Sequence, residues 1–414
     1  MQDPSNLFTV ALGLQSPWEV SDVRFEPEAG EIHFEVACTA RRLSCPACGA
    51  DEQPVHDSRK RSWQHLHFFQ YRAYLHAQVP RVRCGKCGKT SQVAVPWARP
   101  RSGFTLLFEA LVVTLSQRMP VRQVAALLGV NPGRLWQALG ALVEGAREQE
   151  SFEGVRRIGV DEKHVGRLGY ITLFHDADRR RVLFGTPGRD GATFERFCED
   201  LASHGGSPEA IEAVSMDFSG AFQAAAAKHL PAARRCLDPF HLVKLANAAL
   251  DEVRRAEVKQ EASLRGIRWG TLKDAHDWTG PQLVKMHWLQ RSGLKTARAW
   301  RLKERLREIL RQGREGSFPL EALRAWVSWA RRCRLLPFKR LGATVRDHLE
   351  AICEGYRLGL SNGTAESLNA TVQAAIVRAR GFRTQRNLMS VIYLVAGKLT
   401  HLPAPPFANA SITT

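Results

Sequence analysis

The sequence predicts a multidomain α+β protein, and three observations support this prediction. Two cysteine knuckles flank a strand-like stretch near the N-terminus, and a helical pattern follows them. Residues 155–255 then alternate apolar strands with helices, which is the order expected of a mixed α/β domain. Residues 256–355 are wholly helical in pattern and strongly basic. A chain of 414 residues is long enough for several such domains.

The charge balance favours a polyanionic partner. Lysine and arginine number 59 against 41 aspartate and glutamate, which gives a net charge of +18. Such an excess suits nucleic acid, although a ribosomal or membrane-surface protein could be equally basic. The sequence shows no signal peptide and no apolar run of transmembrane length, so we expect a cytoplasmic protein with no membrane partner.

The N-terminal region, residues 1–98, carries the strongest local signal. Its first 35 residues predict short strands, and two Cys-x-x-Cys-Gly turns follow. The turns supply Cys45, Cys48, Cys84 and Cys87. Four thiolates on two such turns predict a closed, structural Zn²⁺ site, with a long hairpin bridging the interval between the pairs. Unrelated thiols and redox pairs are the alternatives, and the expected cytosolic location argues against disulfides.

Residues 99–150 predict a helix-turn-helix. Apolar residues from Phe104 to Leu115 have helical spacing, and a second helix at Val121–Leu128 stops at Gly129. Asn131 predicts the N-cap of a third helix, and Pro132 predicts its first position. The apolar residues expected to bury the last two helices are Val124, Leu127, Leu128, Leu135 and Leu139.

This arrangement would present two polar side chains of the last helix to DNA. Arg134 and Gln137 are the predicted major-groove contacts, and Arg122 on the preceding helix is a further DNA-binding candidate. Many helical hairpins share this pattern without contacting DNA. The net charge and the neighbouring cysteine knuckles favour the DNA-binding interpretation.

The α/β segment predicts a site at one edge of a sheet. Strands are predicted at 155–161, 170–175, 181–185, 211–217 and 234–237, with helices at 192–202, 220–229 and 240–255. Asp161 and Asp217 close two apolar strands, so on neighbouring parallel strands they would point to one site. Glu366 and Asn369 share a face of a last helix predicted from Thr364 to Arg378.

Three carboxylates at one site predict a catalytic metal centre. Hard oxygen ligands suit Mg²⁺ or Mn²⁺, and two such ions can activate a nucleophile and stabilise a leaving oxygen. Any single acid could instead be a solvated loop residue or a helix N-terminal partner. His164, Asp238 and His241 are predicted neighbours of this site, although an Asp-Pro-x-His turn could simply cap its helix.

Several segments, taken in their order and spacing, carry a resemblance to a known family. They are Val160-Asp-Glu-Lys-His, Val214-Ser-Met-Asp-Phe-Ser, Asp238-Pro-Phe-His-Leu-Val-Lys, Ser361-Asn-Gly-Thr-Ala-Glu-Ser-Leu-Asn and Arg380-Gly-Phe-Arg. Together they resemble the transposases of the ISL3 family of bacterial insertion sequences. The resemblance covers nearly the whole chain, from the cysteine pairs to the last predicted helix. Ser367 stands where the family's pattern has glycine after the acid.

The resemblance implies an RNase H-like catalytic core with a DDE triad at Asp161, Asp217 and Glu366. Residues 151–255 and 356–402 would form this core, with 256–355 as an all-helical insertion and 403–414 as an irregular tail. The implied activity is DNA transposition: binding inverted-repeat ends, cutting them with Mg²⁺ or Mn²⁺, and joining the 3′ ends to target DNA.

The implied transposase would work on double-stranded DNA as a homodimer or larger assembly, associated with the bacterial nucleoid. Two alternative functions remain open at this point. One is a domesticated relative that acts as a DNA-binding regulator, and the other is an RNase H-like nuclease on other nucleic acids. An intact acidic triad argues against the first, and the zinc region with the helix-turn-helix argues against the second.

Overall fold

The computed structural model describes residues 4–360 and 363–407, and its N-terminal region is a β-sheet with helix α1 (Pro4–Ala11) against it. The strands are β1 (Trp18–Glu26), β2 (Glu31–Cys38), β3 (Arg42–Leu43), β4 (Gln53–Phe68), β5 (Tyr71–Arg83) and β6 (Thr90–Gln92). Their order is β1-β2-β5-β4-β3, with β6 beside β5. Every second residue of β2 is buried, and the central part of β5 shows the same alternation, so one face of the sheet forms the N-terminal core.

Helix α1 corrects the prediction of strands throughout the first 35 residues. Phe8 and Leu12 are four residues apart and pack against the N-terminal core. The ring centroids of Phe8 and Phe34 are 5.1 Å apart. A spacing of four places two side chains on one helical face, and this helical signal was overlooked because the strand prediction relied on residues that alternate between apolar and polar. The alternation itself is found in β2, where Ile32, Phe34 and Val36 are buried.

Strands β4 and β5 form a long antiparallel hairpin. Its register runs from Val55 opposite Val82 to Phe68 opposite Tyr71. Phe69 lies in the tight turn with φ of 55°. Residues 65–83, predicted as one strand-like stretch, are therefore the end of β4, the turn and β5. The cysteine pairs flank the open end of this hairpin, which brings them together.

The helix-turn-helix consists of α2 (Leu106–Ser116), α3 (Val121–Leu127) and α4 (Pro132–Glu148). The Asn131 side chain accepts a hydrogen bond from the backbone N–H of Gly133, and Pro132 opens α4, as predicted. Gly129 has a φ of 63°, the left-handed conformation that the turn between α3 and α4 requires. Leu135 and Leu139 are fully buried, but Leu127 is 61% exposed, so its predicted burial is wrong.

A second sheet follows the helix-turn-helix. Its strands are β7 (Arg157–His164), β8 (Tyr170–Asp176), β9 (Arg181–Pro187), β10 (Ala213–Met216) and β11 (Arg234–Leu237), in the order β11-β10-β7-β8-β9. Strand β8 is antiparallel to both of its neighbours, β7 and β9, whereas β10 is parallel to both β7 and β11. Helices α5 (Ala192–Ser203), α6 (Gly220–His229) and α7 (Pro239–Glu257) alternate with the later strands. Strand β7 continues three residues beyond the predicted end at Asp161 because it pairs with β8 as far as Tyr170.

The next segment is helical, as predicted. It comprises α8 (Arg268–Leu272), α9 (Gly280–Arg291), α10 (Lys295–Arg314), α11 (Leu320–Arg332), α12 (Leu336–Asp347) and α13 (Leu349–Arg357). Leu302, Trp326 and Phe338 are buried in the same apolar cluster as Phe174 of β8, so these helices and the second sheet share one core. The Trp326 indole N–H donates to the carbonyl of Leu302 over 2.9 Å and fixes α11 against α10.

Helix α14 (Gly363–Ala379) matches the helix predicted to carry Glu366, but it is not the last one. Helix α15 (Gln385–Ala396) follows and packs its apolar residues against the second sheet and α4. Leu388 and Ile392, spaced four apart, gave the signal that was missed. Ser361 and Asn362 of the predicted motif, and 408–414 of the predicted tail, lie outside the described residues.

Candidate functional site

Two matching turns hold the four cysteines of the N-terminal region. In each turn the glycine after the second cysteine donates its backbone N–H to the first cysteine's carbonyl over 2.9 Å. Gly49 and Gly88 have φ values of 72° and 70°, a conformation that favours glycine. The backbone N–H of Ala47 points at the Cys45 sulfur, and that of Cys87 at the Cys84 sulfur, each at 3.4 Å. The local sequence therefore builds both turns.

The four sulfurs converge on one point. All lie within 4.8 Å of one another, with 3.9 Å between the Cys45 and Cys87 sulfurs and 3.6 Å between those of Cys48 and Cys84. A tetrahedral ion with Zn–S bonds of about 2.3 Å requires sulfurs about 3.8 Å apart. The backbone N–H of Cys87 lowers the pKa of the Cys84 thiol to about 7, which favours the thiolate that a metal binds. At Cys48 the backbone of Ala50 lowers the pKa, but the neighbouring Cys84 thiol, burial and the other two thiols together raise it to about 11. The donor set fits zinc.

The remaining cysteines do not join this cluster. They lie in, or pack against, apolar cores: Cys38, Cys198, Cys236, Cys333 and Cys353. Burial raises the pKa of Cys198 to about 11 and that of Cys236 to about 12. The Cys198 and Cys236 thiols are therefore protonated packing groups.

Three aspartates stand side by side at one edge of the second sheet. Ser215 of β10 is opposite Gly159 of β7, and Met216 is opposite Leu237 of β11. Continuing this parallel register places Asp217 between Asp161 and Asp238. The predicted proximity of Asp161 and Asp217 on neighbouring parallel strands agrees with this geometry, but β7 extends to His164, so Asp161 lies within its strand and only Asp217 follows a strand end. Asp238 adds a third acid to the row.

Asp161 is held by its neighbours on two elements. Its carboxylate accepts a hydrogen bond from the backbone N–H of Glu162 over 2.8 Å and another from the Asn369 side-chain amide of α14. Burial raises the pKa of Asp161, whereas the bond from Asn369 and the charge of His241 lower it. The negative charge of Asp217 raises it again. The charges of His241 and Asp217 and the hydrogen bond from Asn369 therefore all act on the Asp161 carboxylate.

Asp217 and Asp238 are each fixed by a turn that starts a helix. The Asp217 carboxylate accepts the backbone N–H of Ser219 over 2.8 Å, just before α6. Asp238 caps α7 by accepting the N–H of Phe240 over 2.9 Å, and His241 Nε2 lies 3.5 Å from its other oxygen. Asp238 is only 3% exposed, and burial raises its pKa. The Asp-Pro-x-His turn thus caps a helix and also places a carboxylate in the acidic row.

Glu366 reaches the same region from α14. It stands exposed in the first turn of that helix, and its charge raises the pKa of Asp238. The backbone carbonyl of Asn369, one turn further, accepts a hydrogen bond from Lys163 over 3.4 Å.

In the described chain, ligand atoms converge within 4.8 Å at the four cysteines and two surface clusters, not at the carboxylates of the acidic row and Glu366. Ligands shared between two ions about 3.5–4 Å apart need not converge so tightly.

His164 lies apart from the acidic row. It is exposed at the end of β7, about 10 Å along the strand from Asp161, with its ring centroid 5.0 Å from that of Tyr170.

Sequence reasoning missed two charged groups that the fold brings close to the acidic row. Burial, followed by the charge of Asp217, raises the pKa of Glu162, and Arg314 lowers the pKa of Asp238. Adjacency to Asp161 could have suggested Glu162, but only the packing of α10 places Arg314.

The predicted DNA-contacting residues lie on the surface of the helix-turn-helix. Arg122 and Gln137 are exposed on α3 and α4. Arg134 is also exposed, but its guanidinium lies 4.8 Å from the ring centroid of Phe104 and within 3.5 Å of the Gly103 carbonyl. These contacts hold the Arg134 side chain in place along the start of α4. Gln137, one turn further along, is exposed on the same helix.

The helix-turn-helix is fixed to both of its neighbours. Arg147 of α4 pairs with Asp200 at 2.5 Å, donates to the Leu183 carbonyl over 2.9 Å and lies 4.7 Å from the ring centroid of Tyr393. On the other side, the Gln64 backbone bonds to Gly103 and Thr105. The acidic edge and the exposed face of α4 therefore belong to one connected body. No helix in the described part of the chain has the length and apolarity to cross a membrane.

Comparison with known protein families matches three consecutive parts of the chain. Residues 158–392 match the ISL3-type family described as "Transposase". Residues 93–143 match the helix-turn-helix domain of transposase family ISL3, and residues 41–87 match the zinc-finger of transposase IS204/IS1001/IS1096/IS1165. The matched segments contain, respectively, the acidic row, helices α2 and α3 with most of α4, and the four cysteines.

Similar curated proteins extend over nearly the whole chain. The transposase for insertion sequence element IS1557 of Mycobacterium tuberculosis is 30% identical, over 96% of this chain and 97% of the relative. The transposase for insertion sequence element IS1001 of Bordetella parapertussis is 25% identical, over 91% and 94%. The family match spans more than half of the chain, and its segments coincide with the sites described above. The chain is thus a member of the ISL3 family of insertion-sequence transposases.

Proposed function

We propose that this transposase is a DDE enzyme that binds the inverted-repeat ends of its element, cleaves them by two-metal-ion hydrolysis and joins the 3′ ends to target DNA. The observation that carries the proposal is the register of β7, β10 and β11, which aligns Asp161 and Asp217 at one edge. Glu366 approaches this edge from α14. Clustered anions disfavour phosphate unless cations bind between them, so a pure DNA-binding regulator has no use for this arrangement.

The order of the second sheet supports an RNase H-like core. Three antiparallel strands followed by two parallel ones match the pattern expected of that fold. We take 151–255 and 356–402 as the two parts of the core and 256–355 as a helical insertion between them. The sharing of one apolar cluster between the insertion and the sheet supports an insertion that packs rigidly on the core.

The acidic residues have separate roles in this proposal. Asp161, Asp217 and Glu366 would hold two Mg²⁺ or Mn²⁺ ions, which supply activation of water or a 3′-hydroxyl and charge stabilisation at the leaving oxygen. Asn369 orients the Asp161 carboxylate through its amide N–H. Buried Asp238 and half-buried His241 lie 3.5 Å apart and hold the start of α7 in position beside the proposed ligands.

The N-terminal and helix-turn-helix regions would recognise the ends. We assign a structural Zn²⁺ to Cys45, Cys48, Cys84 and Cys87, whose sulfur spacing fits the ion. Gln137, Arg134 and Arg122 are the proposed contacts to double-stranded DNA, with Gln137 the residue freest to reach a base edge. Joining two ends requires both to be held at once, so we expect a homodimer or larger assembly on nucleoid DNA in the cytoplasm.

A cleavage assay with the full-length protein tests the function. The substrates are labelled duplexes carrying the element's inverted-repeat end, the same end with its sequence shuffled, and an RNA–DNA hybrid. We expect Mg²⁺ or Mn²⁺ to support nicking and strand joining at the inverted-repeat end alone. Ca²⁺ should support binding without cutting. Binding of the end with no cutting in any of these metals would favour a regulator, and preferential cutting of the hybrid would favour a nuclease of another class.

A further inference from the structure

The helical region contains a basic pocket that none of the proposed sites uses. It has a volume of about 360 Å³ and is lined by Trp329 and four arginines, Arg298, Arg301, Arg332 and Arg334. We call it the arginine pocket. Its volume lies at the lower end of the range of ligand-binding cavities, about 300–1,000 Å³. None of its described lining residues is acidic.

The arginines of this pocket lack the partners that neighbouring arginines have. On the surface of the same helices, Arg324 pairs with Glu321 at 2.8 Å and Arg340 with Glu252 at 2.6 Å. Among the described residues, Arg298, Arg332 and Arg334 form no ion pair, and Arg301 donates to the Gln290 and Ser292 carbonyls. Cations grouped without counter-charges repel one another, so the pocket is stabilised when an anion enters it.

Trp329 adds an aromatic surface to this cluster of cations. Its side chain is 41% exposed on α11, whereas Trp326, one turn earlier, is buried and bonded to the Leu302 carbonyl. The buried tryptophan anchors the helix, and the exposed one contributes little to that anchoring. A basic groove combined with an exposed aromatic ring is the usual means of binding an unstacked nucleotide, through its phosphates and its base.

We propose that the arginine pocket binds a DNA strand at an unpaired nucleotide, with the arginines on its phosphates and Trp329 stacked on its base. This inference rests on the proposed function and extends it to the partner of the helical region. Arg314, whose charge acts on Asp238, lies at the other end of α10 from Arg301. At a rise of about 1.5 Å per residue, the two are roughly 20 Å apart along the helix. A strand that follows α10 over this length would span about six nucleotides at about 3.4 Å each, so the proposal expects the unpaired nucleotide about six positions from the cutting site.

The test compares two probes bound by the full-length protein. One is a fully paired inverted-repeat end, and the other is the same end with single unpaired nucleotides placed four to eight positions from the cleavage point. Trp329→Ala should weaken binding of the unpaired probes about 5- to 100-fold, with little change for the paired one. Arg298→Ala and Arg332→Ala should each weaken binding and reduce the slope of log K against log salt by nearly one.

Arg324→Ala is the matched control, because it removes an exposed arginine from the same helix that already has an acidic partner. It should leave both affinities and the salt slope unchanged. The proposal is overturned if Trp329→Ala binds paired and unpaired probes as the unsubstituted protein does, or if the two arginine variants keep its salt slope. Cleavage in Mg²⁺ is measured separately: absence of cutting would refute the proposed function while leaving the pocket result intact. Unfolding curves of each variant confirm that the fold is retained.

Discussion

The cysteine site and the acidic site are built in opposite ways. Each cysteine pair is made by one turn of six residues, whose backbone hydrogen bonds fix the turn and point at the sulfur of its first cysteine. The acids come from three adjacent strands and a helix far along the chain, and their placement depends on the register of a sheet. The sulfurs converge within 4.8 Å, whereas the described carboxylates of the acidic site do not.

Under the proposed function, this difference would separate a metal that holds a fold from metals that perform chemistry. Thiolates brought together by short turns gain their stability from the ion, so the ion contributes to folding. Carboxylates carried by a sheet with its own apolar core are positioned without the ion. We therefore expect removal of metal to affect structure at the first site and activity at the second. Four predictions test this division, in order of decreasing effect.

The largest effect is expected from losing the zinc. Metal analysis should find about one Zn per chain, and Cys84→Ser should lose it together with the order of the two knuckles. Structural zinc in small fingers contributes about 10–16 kcal/mol of apparent binding free energy, which here is partly replaced by the N-terminal core. Hydrogen exchange of the knuckles and end binding measure the loss. Cys38→Ser, a half-buried cysteine outside the knuckles, is the control, and a metal-free protein with protected knuckles would contradict the assignment.

Neutralising a proposed catalytic acid should affect chemistry and leave the fold intact. Asp161→Asn, Asp217→Asn and Glu366→Gln should each slow cleavage of labelled ends at least ~1,000-fold, a loss of about 4 kcal/mol. End binding and the free energy of unfolding should stay the same or rise, because mutual repulsion is relieved. Glu212→Gln, an exposed acid at the opposite end of β10, should cleave normally. A triad variant that cleaves at the unsubstituted rate would move the assignment, first to Asp238.

Acid should destabilise both regions through one buried histidine in each. Burial lowers the pKa of His65 and of His175 to about 4. Because these folded-state values lie below the ordinary 6.5, stability is complete above pH 6.5 and is lost as pH falls towards 4. The loss is up to about 3 kcal/mol for each group. Unfolding of His65→Gln and His175→Gln from pH 7 to 4 should show a smaller decline than the unsubstituted protein, and equal declines would refute the proposed burial effect.

The smallest effect is expected at Asn369, which contacts a proposed metal ligand and is not itself one. Removing its hydrogen bond to Asp161 with Asn369→Ala should slow cleavage about 10- to 100-fold, the usual cost of losing a partner of a metal ligand. The concentration of Mg²⁺ needed for half-maximal rate should rise as well. Ser367→Ala, exposed on the same helix, is the control. An unchanged metal requirement would show that the contact does not orient Asp161.

The features that the sequence predicted well are those set by neighbouring residues. Cysteine spacing, the Asn131-Pro132 start of α4 and the apolar runs before Asp161 and Asp217 are local signals, and the structure places each as expected. The exposure of Leu127, the isolation of His164 and the approach of Arg314 depend on which surfaces meet across the chain. No spacing rule contains that information. Helix α1 was missed for a different reason. Phe8 and Leu12 have the spacing of four that favours a helix, but the first 35 residues were interpreted as strands.

The contacts that Arg147 makes between α4 and the second sheet have a consequence for the DNA that the protein binds. Arg147 ties α4 to Asp200, Leu183 and Tyr393 on the side of the acidic edge, and we expect these contacts to hold the helix-turn-helix at a constant distance from that edge. The distance between the recognised bases and the scissile phosphate is then constant. Inserting one base pair between them moves the phosphate about 3.4 Å along the axis and turns it by roughly 35° around it. The terminal repeats should therefore tolerate many base changes in this spacer, but no change in its length.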